Sequence, residues 1–292
     1  GAGRGGAMPW KDPDFILFDP RTRASFKTNN LSFDHDGRFA FNRGAHIQCT
    51  RKTVNYFANI DFRLGGAKDG GELTDCFYWR NVPGVERALL VVGTEKEQDK
   101  PASIQIWNTA HGSGARVHTF EFSEQAFAGG AFVEHICGFA QLRPAVGCPP
   151  LVVGLSTGQV LLLMARDAAT TFEIILNMTG LEEPIVALAA DVCETNYVAA
   201  ADESGRVVVW GLELIREGVY GYKVSYEFDS GVDPCSVIGV RDGVLVTGHV
   251  SGMLRFHHVK SKYMYADMVT NSKTIMCMDM HPERDWVAVG GE

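Results

Sequence analysis

The sequence predicts an all-β protein built from a repeated four-stranded antiparallel unit, and three observations carry that prediction. The first is a fixed interval. Ala199 to Trp210 reads AAADESGRVVVW, a small-residue run, a polar turn and an apolar strand, and the same arrangement recurs as LVVGLSTGQVLLL and LVTGHVSGMLRFH, with Gly158, Gly205 and Gly252 spaced 47 residues apart. A constant period of this size marks a repeat architecture. The second is punctuation: short apolar or β-branched segments alternate with Gly, Asp, Asn and Pro from end to end, and few stretches show a helical period. The third is that VVVW and VLLLM are apolar at consecutive positions, as strands buried on both faces are. Small sheets, each buried on both sides and repeated with a period in the forties, describe the radially stacked blades of a β-propeller.

Each element follows from this frame. The first unit places strands at Leu31 to Phe33, Arg38 to Phe41, His46 to Cys49 and Asn55 to Phe62; the second at Cys76 to Trp79, Ala88 to Gly93, Ser103 to Trp107 and Val117 to Phe122. The third runs through Val133 to Ala140, Leu151 to Gly154, Gln159 to Leu163 and Thr171 to Leu176. The fourth runs through Ile185 to Ala189, Tyr197 to Ala201, Arg206 to Trp210 and Lys223 to Phe228. The fifth has Cys235 to Val240, Val244 to Gly248, Met253 to His257 and Tyr263 to Met268, and a sixth begins with Thr274 to Met280 and Trp286 to Gly290. Hairpin-length turns join the strands, so each unit is an antiparallel meander. The approximate blades are 31–62, 76–122, 133–176, 185–228, 235–268 and an incomplete 274–292, forming one domain over 8–292. Gly1 to Ala7 (GAGRGGA) reads as an expression scar before a native Met8.

At the turn-and-strand signature the chain resembles the WD-repeat (WD40-type) propeller family, with Trp210 six residues after Ser204 and Gly205 between them. The resemblance covers the chain from about Leu31 to the end. It has departures: Asn108 and Gly211 follow Trp107 and Trp210 where the family has Asp, Leu163 and His257 replace the Trp, and Thr157, Ser204 and Ser251 stand at the family's structural Asp. The hydrogen-bonded tetrad of typical blades is therefore not carried over to these positions. The resemblance implies a seven-bladed ring closed by an N-terminal strand, for which Phe15 to Phe18 is well placed. In that expectation the rest of blade six and most of blade seven lie outside this chain.

Composition bounds the function. The 292 residues are 46% apolar and 21% charged, and carry 27 basic against 35 acidic side chains, a net charge of −8. That balance disfavours nucleic acid and anionic lipid as partners, because both reward clustered Lys and Arg. Seven cysteines (Cys49, Cys76, Cys137, Cys148, Cys193, Cys235 and Cys277), an odd number with long gaps and no CxxC, read as reduced thiols in a reducing, cytoplasmic compartment. No apolar run reaches signal-peptide or membrane-span length.

Three patterns imitate catalytic motifs. Gly154 to Gly158 matches GxSxG, whose serine needs a strand-to-helix turn, but the same turn returns at Ala201 to Gly205 and Gly248 to Gly252, each followed by a strand. GxGxxG at Gly1 to Gly6 has no strand before it, and Asp229-Ser230-Gly231 suffices as a turn between blades. His257 and His258 are adjacent on a strand and point to opposite faces, so they do not jointly hold a metal. No metal or cofactor site is expected. An enzyme with a central-cavity site would use Ser156 as nucleophile; a nucleic-acid-binding propeller is the other alternative.

The leading expectation is a non-catalytic protein-interaction scaffold. Loops between second and third strands, and between consecutive blades, share one propeller face, and the longest are Arg63 to Thr74 and Thr94 to Ala102. On that face Asp69, Glu72, Asp75, Glu95, Glu97, Asp99, Glu182, Glu183, Asp202, Glu203, Asp229 and Asp233 outnumber Arg63, Lys68, Lys96, Lys100 and Lys273 by seven. An acidic rim of this kind prefers a basic peptide or protein partner and binds it in a salt-sensitive manner.

Overall fold

In the computed structural model the described residues are 31–33, 39–43, 46–52, 57–65, 73–85, 88–94, 101–109, 114–122, 131–139, 148–165, 171–193, 195–216, 219–270, 273–281 and 284–292. Phe15 to Phe18 lies outside them. Within them every regular element is a strand. Blade one is β1 (Leu31–Phe33), β2 (Phe39–Arg43), β3 (His46–Lys52) and β4 (Phe57–Gly65). Blade two is β5 (Leu73–Trp79), β6 (Leu89–Thr94), β7 (Ser103–Asn108) and β8 (Ala115–Glu121). Blade three is β9 (Val133–Gly138), β10 (Leu151–Leu155), β11 (Val160–Ala165) and β12 (Phe172–Met178). Blade four is β13 (Ile185–Ala190), β14 (Tyr197–Asp202), β15 (Arg206–Arg216) and β16 (Val219–Asp229). Blade five is β17 (Cys235–Arg241), β18 (Val244–His249), β19 (Met253–His258) and β20 (Tyr263–Val269), and β21 (Ile275–Met280) with β22 (Val287–Gly291) forms a sixth, two-stranded sheet.

Every sheet is an antiparallel meander in chain order, as the hairpin-length turns predict. The first strands β5, β9, β13, β17 and β21 each pack against the first strand of the preceding blade. This is the radial succession of a propeller.

Blade four shows why its apolar run is continuous. Val207 and Val209 belong to the cluster shared with blade five, alongside Ile238 and Leu245. Val208 and Trp210 belong to the cluster shared with blade three, alongside Val152, Leu162 and Met178. Side chains alternate across the pleat, so successive residues feed two different cores. Each full burial of such a side chain stabilises the fold by roughly 1.5–3 kcal/mol.

The turns explain the glycine ruler. Gly158, Gly205 and Gly252 have φ of +77°, +91° and +82°, a left-handed conformation that glycine adopts without steric cost. The β17–β18 hairpin uses Asp242 and Gly243 at φ of +48° and +73°, the pattern of a two-residue type I′ turn.

Two features depart from the strand-by-strand expectation. The third and fourth strands of blade four continue to Arg216 and start at Val219, well beyond the expected Arg206 to Trp210 and Lys223 to Phe228, with Leu214 paired to Tyr220 near the tip. Leu212 and Tyr220 are buried against blade three, which lengthens the ladder. The first strands of blades two to six also each carry a register irregularity near their start, at Thr74, Glu134, Val186, Ser236 and Met276. Asp75, beside the first of these bulges, and the bulge residue Ser236 each reach the next blade. Asp75 Oδ2 accepts from Ile136 N at 2.7 Å, and Ser236 Oγ donates to Ile275 O at 2.6 Å.

Candidate functional site

One face of the propeller is defined by hydrogen bonds between second-to-third-strand turns and the links between blades. Glu203 N donates to Pro184 O at 3.0 Å, Ser230 N to Gly205 O at 2.9 Å, and Val250 N to Pro234 O at 3.2 Å. These bonds bring together the links 179–184 and 230–234 and the turns that follow β14 and β18. The expected acidic rim falls on this face, and its members have different fates.

Glu182, Glu183, Glu203 and Asp229 are exposed. Among the described residues no cation pairs with Glu182, Glu183 or Glu203, while Asp229 Oδ1 accepts from Gly231 N at 2.7 Å within its own turn. Asp202 is a correction to the rim: it is 1% exposed, and its Oδ1 accepts from Ser204 N, Ser204 Oγ and Arg206 N at 3.1, 2.6 and 3.1 Å. A carboxylate at the end of β14 finds the free N–H groups of the tight turn closer than any partner, so it closes the hairpin. Asp75, summed with the rim from sequence, is likewise buried in its interblade clasp. Asp69, Glu72, Glu95, Glu97 and Asp99 lie outside the described residues.

Asp233 is engaged on its own blade. Its Oδ1 accepts from Ser251 N at 3.0 Å, and its Oδ2 accepts from Ser251 Oγ and from Arg255 Nη2, each at 2.8 Å. Its backbone carbonyl is the end of a longer chain. His249 Nδ1 lies 2.8 Å from Asp233 O, Thr247 Oγ1 lies 2.9 Å from His249 Nε2 and 3.4 Å from His257 Nε2, and Tyr226 Oη lies 3.3 Å from His257 Nδ1. A carbonyl only accepts, so His249 Nδ1 carries a proton and its Nε2 accepts from the Thr247 hydroxyl. Thr247 then accepts from His257 Nε2–H, and His257 Nδ1 accepts from the Tyr226 hydroxyl of blade four. The whole chain is satisfied with both imidazoles neutral. Burial holds both below the ordinary histidine range, with His257 down to about 4. No local motif marks this network, because its residues sit at 226, 233, 247, 249 and 257; only the period, which places His257 where blade four has Trp210, points to the position.

The two tryptophans of equivalent register also bond within the fold. Trp107 Nε1 donates to Gln105 Oε1 at 3.2 Å, and Trp210 Nε1 donates across the blade interface to Thr179 O at 3.1 Å. Both are buried packing residues of the cores.

Ser156 occupies the turn between β10 and β11, so the GxSxG match is followed by a strand. Its Oγ accepts from Phe132 N at 3.1 Å and its N donates to Phe132 O at 3.0 Å, tying the turn to the entry of β9. Among the described residues no group of three or more His, Cys, Asp or Glu is disposed to hold a metal ion. Cys76, Cys137, Cys148, Cys193, Cys235 and Cys277 are thiols that form no disulfide, and burial pushes the Cys235 thiol up to about 12 and the Cys137 thiol further. No helix among the described residues is long and apolar enough to cross a membrane.

No protein-family model matches the chain, and neither does any curated protein. Its architecture is similar to that in the crystal structure of the RRP9 WD40 repeats, with a TM-score of 0.60 at 15% identity over 89% of this chain and 72% of that one. It is also similar to the β-propeller domain of Cps50 (Swd1) from Myceliophteria thermophila, with a TM-score of 0.66 at 10% identity over 89% of this chain and 79% of that one. The fixed period, the meander topology, the succession of first strands and these two likenesses agree: the chain has the fold of the WD40 β-propellers.

Proposed function

We propose that this chain is a member of the WD-repeat family and a non-catalytic scaffold that captures a basic polypeptide segment on its turn-bearing face, in a reducing, cytoplasmic compartment. The observation that supports this reading is the grouping of Glu182, Glu183 and Glu203 on two loops joined by the Glu203 N to Pro184 O bond, without a pairing cation among the described residues. Carboxylates so placed attract Lys and Arg side chains over a distance set by ionic strength. Asp229 extends the acidic surface towards blade five. Glu95, Glu97 and Asp99, which lie outside the described residues, are included in the reading on their sequence position between β6 and β7. Asp202 and Asp233 are structural, and they leave the recognition role to these neighbours.

The test is capture of a fluorescent arginine-rich peptide by the protein and by a Glu182→Lys, Glu183→Lys, Glu203→Lys variant at several salt concentrations. Weaker capture and a shallower salt dependence in the variant support the reading. Unchanged capture and slope overturn it. A Glu95→Lys, Glu97→Lys, Asp99→Lys variant measures separately what the long loop of blade two adds.

A further inference from the structure

The thiols of this chain differ in their surroundings. Cys76, Cys148 and Cys235 are buried, burial raises the Cys137 thiol, and Cys277 is exposed. Cys193 is partly buried in the turn between β13 and β14, at the end of the blades opposite the acidic rim, where Val192 N donates to Val240 O of blade five at 3.2 Å. Its sulfur is hydrogen-bonded to the guanidinium of Arg241, the last residue of β17. Arg241 Nη1 is held in turn by Asp285 Oδ1 at 3.0 Å and by the carbonyl of Arg284, so blade six fixes the cation against the turn.

The same residues carry unused hydrogen-bonding capacity. Asp191 Oδ2, Thr195 Oγ1 and Arg241 Nε are buried and have no hydrogen-bond partner among the described residues. Each belongs to a side chain next to Cys193. Asp191 is fully buried and its Oδ1 accepts from Cys193 N at 2.6 Å, Thr195 lies two residues further along the same turn, and Arg241 holds the sulfur. Buried polar groups are rarely left unmatched, and orphaned ones beside a nucleophile call for a small polar molecule to complete them. A hydroperoxide fits the set: its oxygens accept from the Thr195 hydroxyl and from Arg241 Nε–H, and its O–H donates to Asp191 Oδ2.

We propose that Cys193 is a modification site whose substrate is a hydroperoxide, positioned against the sulfur by Thr195 and Arg241. The sulfur attacks one peroxide oxygen, an S–O bond forms as the O–O bond breaks, and the thiol proton goes to the departing hydroxide. Cys193–SH and hydrogen peroxide thus give Cys193–SOH and water, the sulfur being oxidised and the peroxide reduced. Arg241 opposes the negative charge that gathers on the departing oxygen. The change is stoichiometric and does not depend on the acidic rim or on what binds there.

The experiment exposes the whole protein to a small excess of hydrogen peroxide in the presence of dimedone, which traps sulfenic acid, and follows the adduct at each cysteine by peptide mass spectrometry. Cys193 is expected to be trapped about tenfold or more faster than the exposed Cys277. This comparison is made within the unaltered protein, so it does not require any variant to fold. Alkylation by iodoacetamide is followed in parallel, because it needs a reactive sulfur but no bonds to a peroxide. Thr195→Val removes a hydroxyl that makes no bond in the resting fold, and is expected to slow oxidation of Cys193 about fivefold or more while leaving its alkylation unchanged. Arg241→Lys keeps the charge, loses the Nε donor and is expected to slow oxidation as well. Trapping of Cys193 no faster than that of Cys277 overturns the proposal. So does a Thr195→Val variant in which oxidation is unchanged or falls together with alkylation.

Discussion

His249 Nδ1–H donates to the backbone carbonyl of Asp233 at 2.8 Å, and this bond sets the direction of every proton in a chain that crosses from blade five to Tyr226 of blade four. The chain needs both His249 and His257 neutral. Phe228 stacks on His257 with ring centroids 4.4 Å apart, and Arg255 beside His249 opposes a second positive charge.

Acid should therefore loosen this interface. Both histidines have folded pKa values lowered from the ordinary 6.5, so the unfolded state binds protons first as pH falls and stability is lost from about pH 6.5 down towards about 4. Asp191, whose carboxyl burial raises, acts in the opposite sense at lower pH. The urea midpoint at pH 5 is expected below that at pH 7 by the equivalent of about 1 kcal/mol after allowance for solvent screening. His257→Gln, which does not titrate, should flatten the dependence; an unchanged slope in that variant would count against the assignment.

Asp75 clasps blade two to blade three through Ile136 N and also accepts from Cys76 N at 2.9 Å. Asp75→Ala leaves both buried N–H groups without that acceptor. Thermal and urea unfolding should show a loss of about 2–4 kcal/mol. Asp75→Asn keeps one acceptor oxygen and should lose less.

Trp210 separates packing from hydrogen bonding. Trp210→Ala empties the core between blades three and four and is expected to cost about 3–5 kcal/mol. Trp210→Phe retains most of the ring and loses the bond to Thr179 O, and should cost less than the alanine variant by equilibrium unfolding. Equal losses would mean that the bond, and not the burial, holds the position.

The ruler glycines can be tested by contrast. An added Cβ at Gly158 would stand 2.7 Å from Leu181 O, in a backbone already at φ +77°. Gly84 has a similar φ of +76°, but nothing within 4 Å of the added carbon. Gly84→Ala should cost about 1–2 kcal/mol from conformation alone, and Gly158→Ala should cost more, measured by urea midpoint.

Much of the architecture is local and so was legible in the residues. Gly158, Gly205 and Gly252 must be glycine because their turns need a left-handed backbone, and Val207 to Trp210 must all be apolar because alternate side chains enter different cores. These requirements act within a few residues of each other and repeat every 47, so strand order, turn positions and the two-stranded start of the sixth sheet could be placed without coordinates. What only the tertiary structure decided depends on groups far apart in the chain. By residue type Asp202 and Asp233 belong to an acidic rim, but the Asp202 carboxylate closes its own hairpin and Arg255 and Ser251 surround that of Asp233. His249, Thr247, His257 and Tyr226 form one network only because two blades meet there. Formal charge is a property of a residue type, whereas the availability of that charge to a partner depends on which backbone N–H groups and cations the fold brings within hydrogen-bonding distance.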